Sequence, residues 1–200
     1  MEFVRTPESR FERLADYPFE GHYCELTSDG MRMHYLDEGP SDADPVLMLH
    51  GEPSWSYLYR HMIPIVAAAG HRVIAPDLIG FGKSDKPTSM ADYSYQAHMD
   101  WMLAFVESLD LNNITLVCQD WGSLIGLRLA AEQQQRFKAI VVGNGMLPTG
   151  EQKVPAAFQL WKNFALYSPW FPIARIINSG TFKTLGPEER KAYDAPFPSA

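Results

Sequence analysis

An aspartate stands where a strand-like run meets a helix-like one. Residues 116–126 read LVCQDWGSLIG, the end of the apolar run NITLVC followed by SLIGLRLAA, which has helical spacing. Asp120 occupies the tip, with Cys118 two residues before it, Gly122 two residues after it and Trp121 beside it. Small residues at those offsets mark a sharp strand-to-helix turn, because neighbouring backbone crowds the chain there. A carboxylate in that position faces helix amides and the helix dipole, which favour its ionised form by ~0.3–1 kcal/mol. It is then either an N-cap, a common role for Asp before a helix, or a nucleophile held ready to attack. CQDWG alone leaves both readings open.

The ends of the other strand-like runs bear on that choice. Ligands in open α/β sheets bind beyond the carboxyl ends of the strands. The stretches to weigh are therefore HGEPSW (50–55), PDLIGFGKSD (76–85), CQDWG (118–122) and GNG (143–145). The turn HGEP can point backbone N–H groups inward, as stabilising an oxyanion requires, and its presence favours the nucleophile reading of Asp120. His50 reads as a brace for that turn rather than a base, and Glu52 as a backbone donor rather than an acid. Glu52–Pro53 is a candidate cis bond, although most X–Pro bonds are trans. Asp77 and Asp85, with Gly80 and Gly82 between them, read as loop-shaping. His22, His34, His61, His71 and His98 read as surface or structural residues.

The elements that must position these residues follow from periodicity. PFEGHYCEL and MRMHYLDEG, joined by TSDG, predict a β-hairpin. PVLMLHG, RVIAPD, NITLVCQD and KAIVVGNG are short apolar runs and predict strands buried on both faces. Helices are predicted from about Tyr57 to Ala69, over YQAHMDWMLAFVESLDL, and over SLIGLRLAAEQQQRF. Strands alternating with helices predict βαβ units, hence an α/β fold with a mainly parallel sheet. The texture changes near Leu147: helical patterns broken by prolines follow, without strands of the earlier kind. The expected division is a main domain over 1–147 and a helical cap region over 148–200.

Composition sets bounds. The apolar fraction of 46% suits a globular core, and no uncharged run is long enough to span a membrane. A net charge of −7 without a basic block argues against nucleic acid or an anionic membrane as partner. The two cysteines do not make a disulfide framework. The charged N-terminus lacks the apolar stretch of a signal peptide, so a cytoplasmic location is expected.

HGEPSWSYLYR, PDLIGFGKSDKP and CQDWGSLIGLRLA, in this order and spacing, resemble the α/β-hydrolase fold. Within it they resemble the haloalkane dehalogenases, the subgroup with glutamate after His-Gly. The resemblance covers the chain from about Tyr23 onward, including the start of the cap. It implies hydrolytic dehalogenation of a small haloalkane to an alcohol and halide, a detoxifying reaction, through a covalent ester on Asp120. The oxyanion donors would be the backbone N–H groups of Glu52 and Trp121. The halide would be held by the indole N–H of Trp121 and a second one from the cap. Of Trp161 and Trp170, the first lies in the helix-like stretch AAFQLWKNF and takes that role, with Phe158 on the same helix face lining the pocket. Partners implied are the haloalkane, water and halide; no metal or cofactor is implied, and a monomer is expected of the complete protein.

Two members of the implied machinery are not found. The fold orders its triad as nucleophile, acid, base, yet no histidine follows His98, and Asn144 stands where some dehalogenases place the acid. The expectation is that acid and base lie beyond Ala200, with the last strands of the sheet, and that these residues alone do not turn over. Two other readings remain. One is an epoxide hydrolase, which needs cap tyrosines such as Tyr167; the other is a non-catalytic binding protein of the same fold.

Overall fold

The computed structural model describes residues 1–151, 153–168 and 170–197. Gln152, Pro169 and residues 198–200, which fall within the expected cap region, lie outside the described residues.

Two short strands, β1 (Phe3–Val4) and β6 (Lys86–Pro87), pair with each other. The main sheet holds β2 (Gly21–Glu25), β3 (Arg32–Glu38), β4 (Pro45–Leu49), β5 (Arg72–Pro76), β7 (Ile114–Cys118) and β8 (Phe137–Val142). Their spatial order is β2-β3-β5-β4-β7-β8. The β2/β3 hairpin is antiparallel and β3 pairs antiparallel with β5; β5, β4, β7 and β8 are parallel. This is the expected α/β arrangement.

Helices α1 (Met62–Ala68), α2 (Tyr95–Ser108) and α3 (Trp121–Glu132) follow β4, β5 and β7. One face of the sheet packs Leu47, Leu49, Ile74 and Leu116 against Met102, Phe105 and Ile125 of α2 and α3. The other packs Met48, Val73 and Ala75 against Ile63 of α1. All five residues of β4 are buried, because a central parallel strand is covered on both faces.

Two expectations are corrected. The single helix from about Tyr57 to Ala69 is a 3₁₀ turn (Ser56–Tyr59) followed by α1. Pro64 explains the break: proline has no N–H and clashes with the carbonyl four residues back, so it is tolerated only in a first turn. Pro64 is the third residue of α1. The run KAIVVGNG does form a strand, but not a buried one. Ile140, Val141 and Val142 of β8 are 47%, 55% and 43% exposed. β8 is the sheet's edge, and a groove of about 350 Å³ lined by Leu127, Ala131, Phe137 and Ile140 separates it from α3.

Beyond β8 come α4 (Ala156–Tyr167), α5 (Ile173–Ser179) and α6 (Pro187–Asp194). α5 and α6 bury Ile173, Ala174, Ala192 and Tyr193 against Leu14, Trp55 and Tyr57. The Trp55 indole donates to the Ala192 carbonyl at 3.2 Å, and Arg60 pairs with Glu189 at 2.8 Å. The loop that carries HGEPSW is thereby tied to the last helix. None of the described residues of α4 is buried. Among the described residues no helix is long and apolar enough to cross a membrane.

Candidate active site

β7 delivers Asp120 to the carboxyl end of the sheet in a left-handed conformation, φ 52° and ψ −124°. A side chain there costs on the order of 1–3 kcal/mol and persists only where its surroundings impose it. Three strand ends do so. The Gln119 N–H donates to the Leu49 carbonyl at 3.2 Å, the Gly143 N–H to the Cys118 carbonyl at 3.0 Å and the Asp120 N–H to the Asn144 carbonyl at 3.4 Å. The Asp120 carbonyl accepts from the Ser123 N–H at 2.9 Å and the Ser123 hydroxyl at 2.6 Å. A Cβ at Gly122 would run into the carbonyl oxygens of Leu49 and His50, so α3 can start this close to β4 only with glycine there.

The carboxylate makes no capping bond to α3. Asp120 Oδ1 accepts instead from the Glu52 N–H at 2.8 Å, across the top of the sheet. Gly51 lies directly beneath, where a Cβ would strike the Asp120 side chain. The N-cap reading of Asp120 therefore has no hydrogen bond to support it, whereas the HGEP turn and the elbow meet.

The peptide unit joining Gly51 to Glu52 is gripped from both sides. Its N–H faces Asp120. Its carbonyl accepts from the Ser54 N–H at 2.8 Å and from His50 Nδ1 at 3.1 Å. The far nitrogen of His50, Nε2, accepts the Leu78 N–H at 2.9 Å. An amide can only donate, so Nε2 carries the lone pair and Nδ1 the proton. Burial pulls the His50 pKa below its ordinary value, against the pull of the Asp77 and Asp120 carboxylates, and favours this neutral tautomer. His50 thus braces two loops with both nitrogens engaged. The Glu52–Pro53 bond that follows is cis.

Below this turn lies a polar knot. Asp77, fully buried, accepts from the Ser56 N–H at 2.7 Å, the Lys83 N–H at 2.8 Å and pairs with His34 at 2.8 Å. Burial would raise its pKa, but His34, His50 and the Lys83 amide outweigh burial and bring it to about 2. Asp85 is held by Arg5 at 2.8 Å. Both aspartates shape loops, as their spacing suggested. The Cys118 thiol is pushed by burial to about 11, which leaves it an inert wall of the elbow.

Trp121, the first residue of α3, is half-buried. Two residues of α2 wall its indole: the Tyr95 ring at 6.4 Å and the His98 ring at 5.9 Å between centroids. The Glu52 carboxyl is held above its ordinary pKa, by burial first and then by the Asp120 charge, against the opposing effect of a hydrogen bond with the Trp121 indole. The sequence reading takes His98 as a surface or structural residue. The available signal was its i, i+3 relation to Tyr95 in the first turn of α2, which puts both on one face.

The cap residues are not gathered in the same way. Trp161 is in α4, as expected, but its aromatic neighbours are Phe164 at 5.9 Å and Phe171 at 5.9 Å. Phe158 is 53% exposed, Tyr167 73% and Trp170 57%. Among the described residues no ring contact joins Trp161 to Trp121. A cavity of about 270 Å³ lies beside Trp170, Phe171 and Phe197, and Asp120 does not line it. Among the described residues no group of three His, Cys, Asp or Glu side chains is placed to hold a metal ion.

Known proteins share this fold. Residues 44–181 match the family model described as alpha/beta hydrolase fold. A haloalkane dehalogenase of Mycolicibacterium paratuberculosis is 56% identical over 99% of this chain and 67% of its own length. The chain belongs to the haloalkane dehalogenase family. The structure of a tetrameric haloalkane dehalogenase from Paraglaciecola agarilytica superposes with a TM-score of 0.92 at 42% identity, covering 100% of this chain and 67% of that one. An epoxide hydrolase of Vigna radiata is more distant, with a TM-score of 0.72 at 25% identity over 92% of this chain and 68% of that one. The chain thus spans about two thirds of the length of these dehalogenases.

Proposed function

We propose that this chain carries the nucleophilic half of a haloalkane dehalogenase, with Asp120 as the nucleophile. The observation that carries the reading is the 2.8 Å bond from the Glu52 N–H to a carboxylate that caps nothing and sits on a left-handed backbone. A carboxylate oxygen attacks the sp³ carbon in line, the carbon–halogen bond breaks, and the halide leaves with the electron pair. The product is an alkyl ester of Asp120. Serine in its place would give an ether that water does not cleave; an ester has a carbonyl carbon open to water.

In the second step water adds to the ester carbonyl carbon and the alcohol departs. The oxyanion formed there is met by the N–H groups of Glu52 and Trp121. The departing halide is met by the indole N–H of Trp121 and, from the cap, by that of Trp161, with Phe158 as an apolar wall. The main domain is taken as 1–147 and the cap region as 148–200. The second step needs a base to take the proton of water. His50 has both nitrogens engaged by backbone, and no histidine follows His98. The ester is therefore expected to accumulate on this chain.

Intact-mass analysis after incubation with a bromoalkane tests this. One alkyl adduct per chain, mapped to Asp120 and absent from Asp120→Asn, is the expected result. Repeated release of alcohol by these 200 residues alone would show that the base is already present. A folded chain that acquires no adduct would overturn the nucleophile assignment. Diol formed from an epoxide without halide release from the bromoalkane would favour the epoxide hydrolase instead.

A further inference from the structure

We propose that His98 is a positioning residue for the halide site: its imidazole face fixes the rotamer of the Trp121 indole and so aims the indole N–H at the leaving group. The proposal rests on the reading of Trp121 as a halide donor and deepens it.

Trp121 is the first residue of α3, so its side chain has no preceding helical turn to lie on. Its orientation must come from neighbours outside its own helix. α2 supplies two. The Tyr95 ring lies 6.4 Å away and is itself fixed, because its hydroxyl donates to the Leu124 carbonyl at 2.6 Å. The His98 ring lies 5.9 Å away at 46° to the indole. It is backed in turn by Trp101 at 5.1 Å, edge to face, and by Tyr93 at 6.1 Å. The first turn of α2 is pinned by Ser94, whose side chain accepts the Ala97 N–H at 3.0 Å. The result is an aromatic stack running from the α2 cap to the indole that follows the nucleophile. His98 is the member that meets both Trp121 and the Trp101 backing.

Its chemistry suits the task. Burial, followed by the nearby His50, brings its pKa to about 4, so near neutral pH it presents an uncharged flat ring. The titratable groups that face the indole besides His98 are Tyr95 of α2, which burial keeps protonated, and Glu52 of the HGEP turn, whose carboxyl interacts with the indole N–H. A flat uncharged ring holds an indole by edge and face contacts without competing for its N–H.

The test observes the indole directly. In protein labelled with ¹⁵N at tryptophan, the resonance lost in Trp121→Phe identifies the Trp121 N–H. Sodium bromide is titrated against sodium sulfate at matched ionic strength. The wild-type resonance is expected to shift saturably with bromide only. His98→Ala is expected to weaken the apparent bromide affinity about tenfold, the effect of ~1.4 kcal/mol. His98→Phe, which restores a flat ring, is expected to return it to within about twofold. If His98→Ala fails to give a dispersed spectrum, His98→Leu, which keeps bulk without a flat face, replaces it with the same expected weakening. An alanine variant that titrates like wild type overturns the positioning role and leaves Trp121 as halide donor. A phenylalanine variant as weak as alanine overturns the role of the ring face. A wild-type Trp121 resonance indifferent to bromide removes the halide assignment and this inference with it.

Discussion

The elbow at Asp120 and helix α4 are proposed to serve one reaction, yet they are built in opposite ways. At the elbow, backbone from the ends of β4, β7 and β8 forces a left-handed aspartate, and glycines at 51 and 122 admit contacts that any side chain would block. In α4 no described residue is buried, and Phe158, Leu160 and Tyr167 are 53%, 72% and 73% exposed. Between these extremes stand α5 and α6, locked onto the HGEPSW loop through Trp55 and Arg60. Asp120 is thus set by many mutually supporting backbone contacts. Among the described residues, the aromatic neighbours of Trp161 are Phe164 and Phe171.

The contrast predicts graded losses. At the elbow, Asp120→Asn should abolish ester formation, by ~10³-fold or more, because an amide is a poor nucleophile. Gly122→Ala should do the same for another reason. Its methyl meets fixed carbonyl oxygens, and a loss of about 3 kcal/mol or more in unfolding free energy is expected by denaturant titration. His50→Leu should slow ester formation by roughly 10²-fold, since it frees the peptide whose N–H aims at Asp120. It should also cost about 1–3 kcal/mol through the orphaned Leu78 N–H. Single-turnover mass kinetics and melts separate the two effects.

At the proposed cap, Trp161→Phe removes the second indole N–H, so ester formation should slow by about tenfold, less than in Trp121→Phe, while stability should change by less than about 0.5 kcal/mol because α4 buries no described residue. A loss as large as that of Trp121→Phe would mean that α4 already closes over Asp120, and the contrast would collapse.

Acid should weaken the well-packed side first. His98 has a folded pKa of about 4, below the ordinary 6.5, so the folded chain favours the neutral ring. Its contribution is complete above pH 6.5 and is lost as the pH falls toward 4, because the unfolded chain takes up the proton sooner. The unfolding free energy at pH 4.5 should lie on the order of 2 kcal/mol below that at pH 7, and His98→Phe should flatten part of this decline. Asp77, held at about 2 against 3.8, adds a further decline only below that window.

The same contrast governs what could be read without coordinates. The order of strands and helices followed from periodicity, and the convergence of HGEP with CQDWG followed from where strands end. The buried reading of KAIVVGNG was wrong because apolar residues record a strand's tendency to be covered, not whether a neighbour is present to cover it. Phe158 and Trp161 both lie in α4, but a place on a helix does not say what that residue packs against. Sequence spacing does not single out His98 as a neighbour of Trp121, because Trp121 lies 23 positions further along the chain and on another helix.

The amino-acid sequence by itself determined the α/β plan, the family and the aspartate at the tip, because periodicity, turn chemistry and motif spacing are local properties of the chain. Only the tertiary structure decided that Asp120 caps nothing and receives the Glu52 amide, that His50 carries its proton on Nδ1, and that His98 backs Trp121. Each of these depends on atoms that meet across strand ends and between helices. Such meetings are fixed by packing in three dimensions, where a few tenths of an ångström separate a hydrogen bond from a clash.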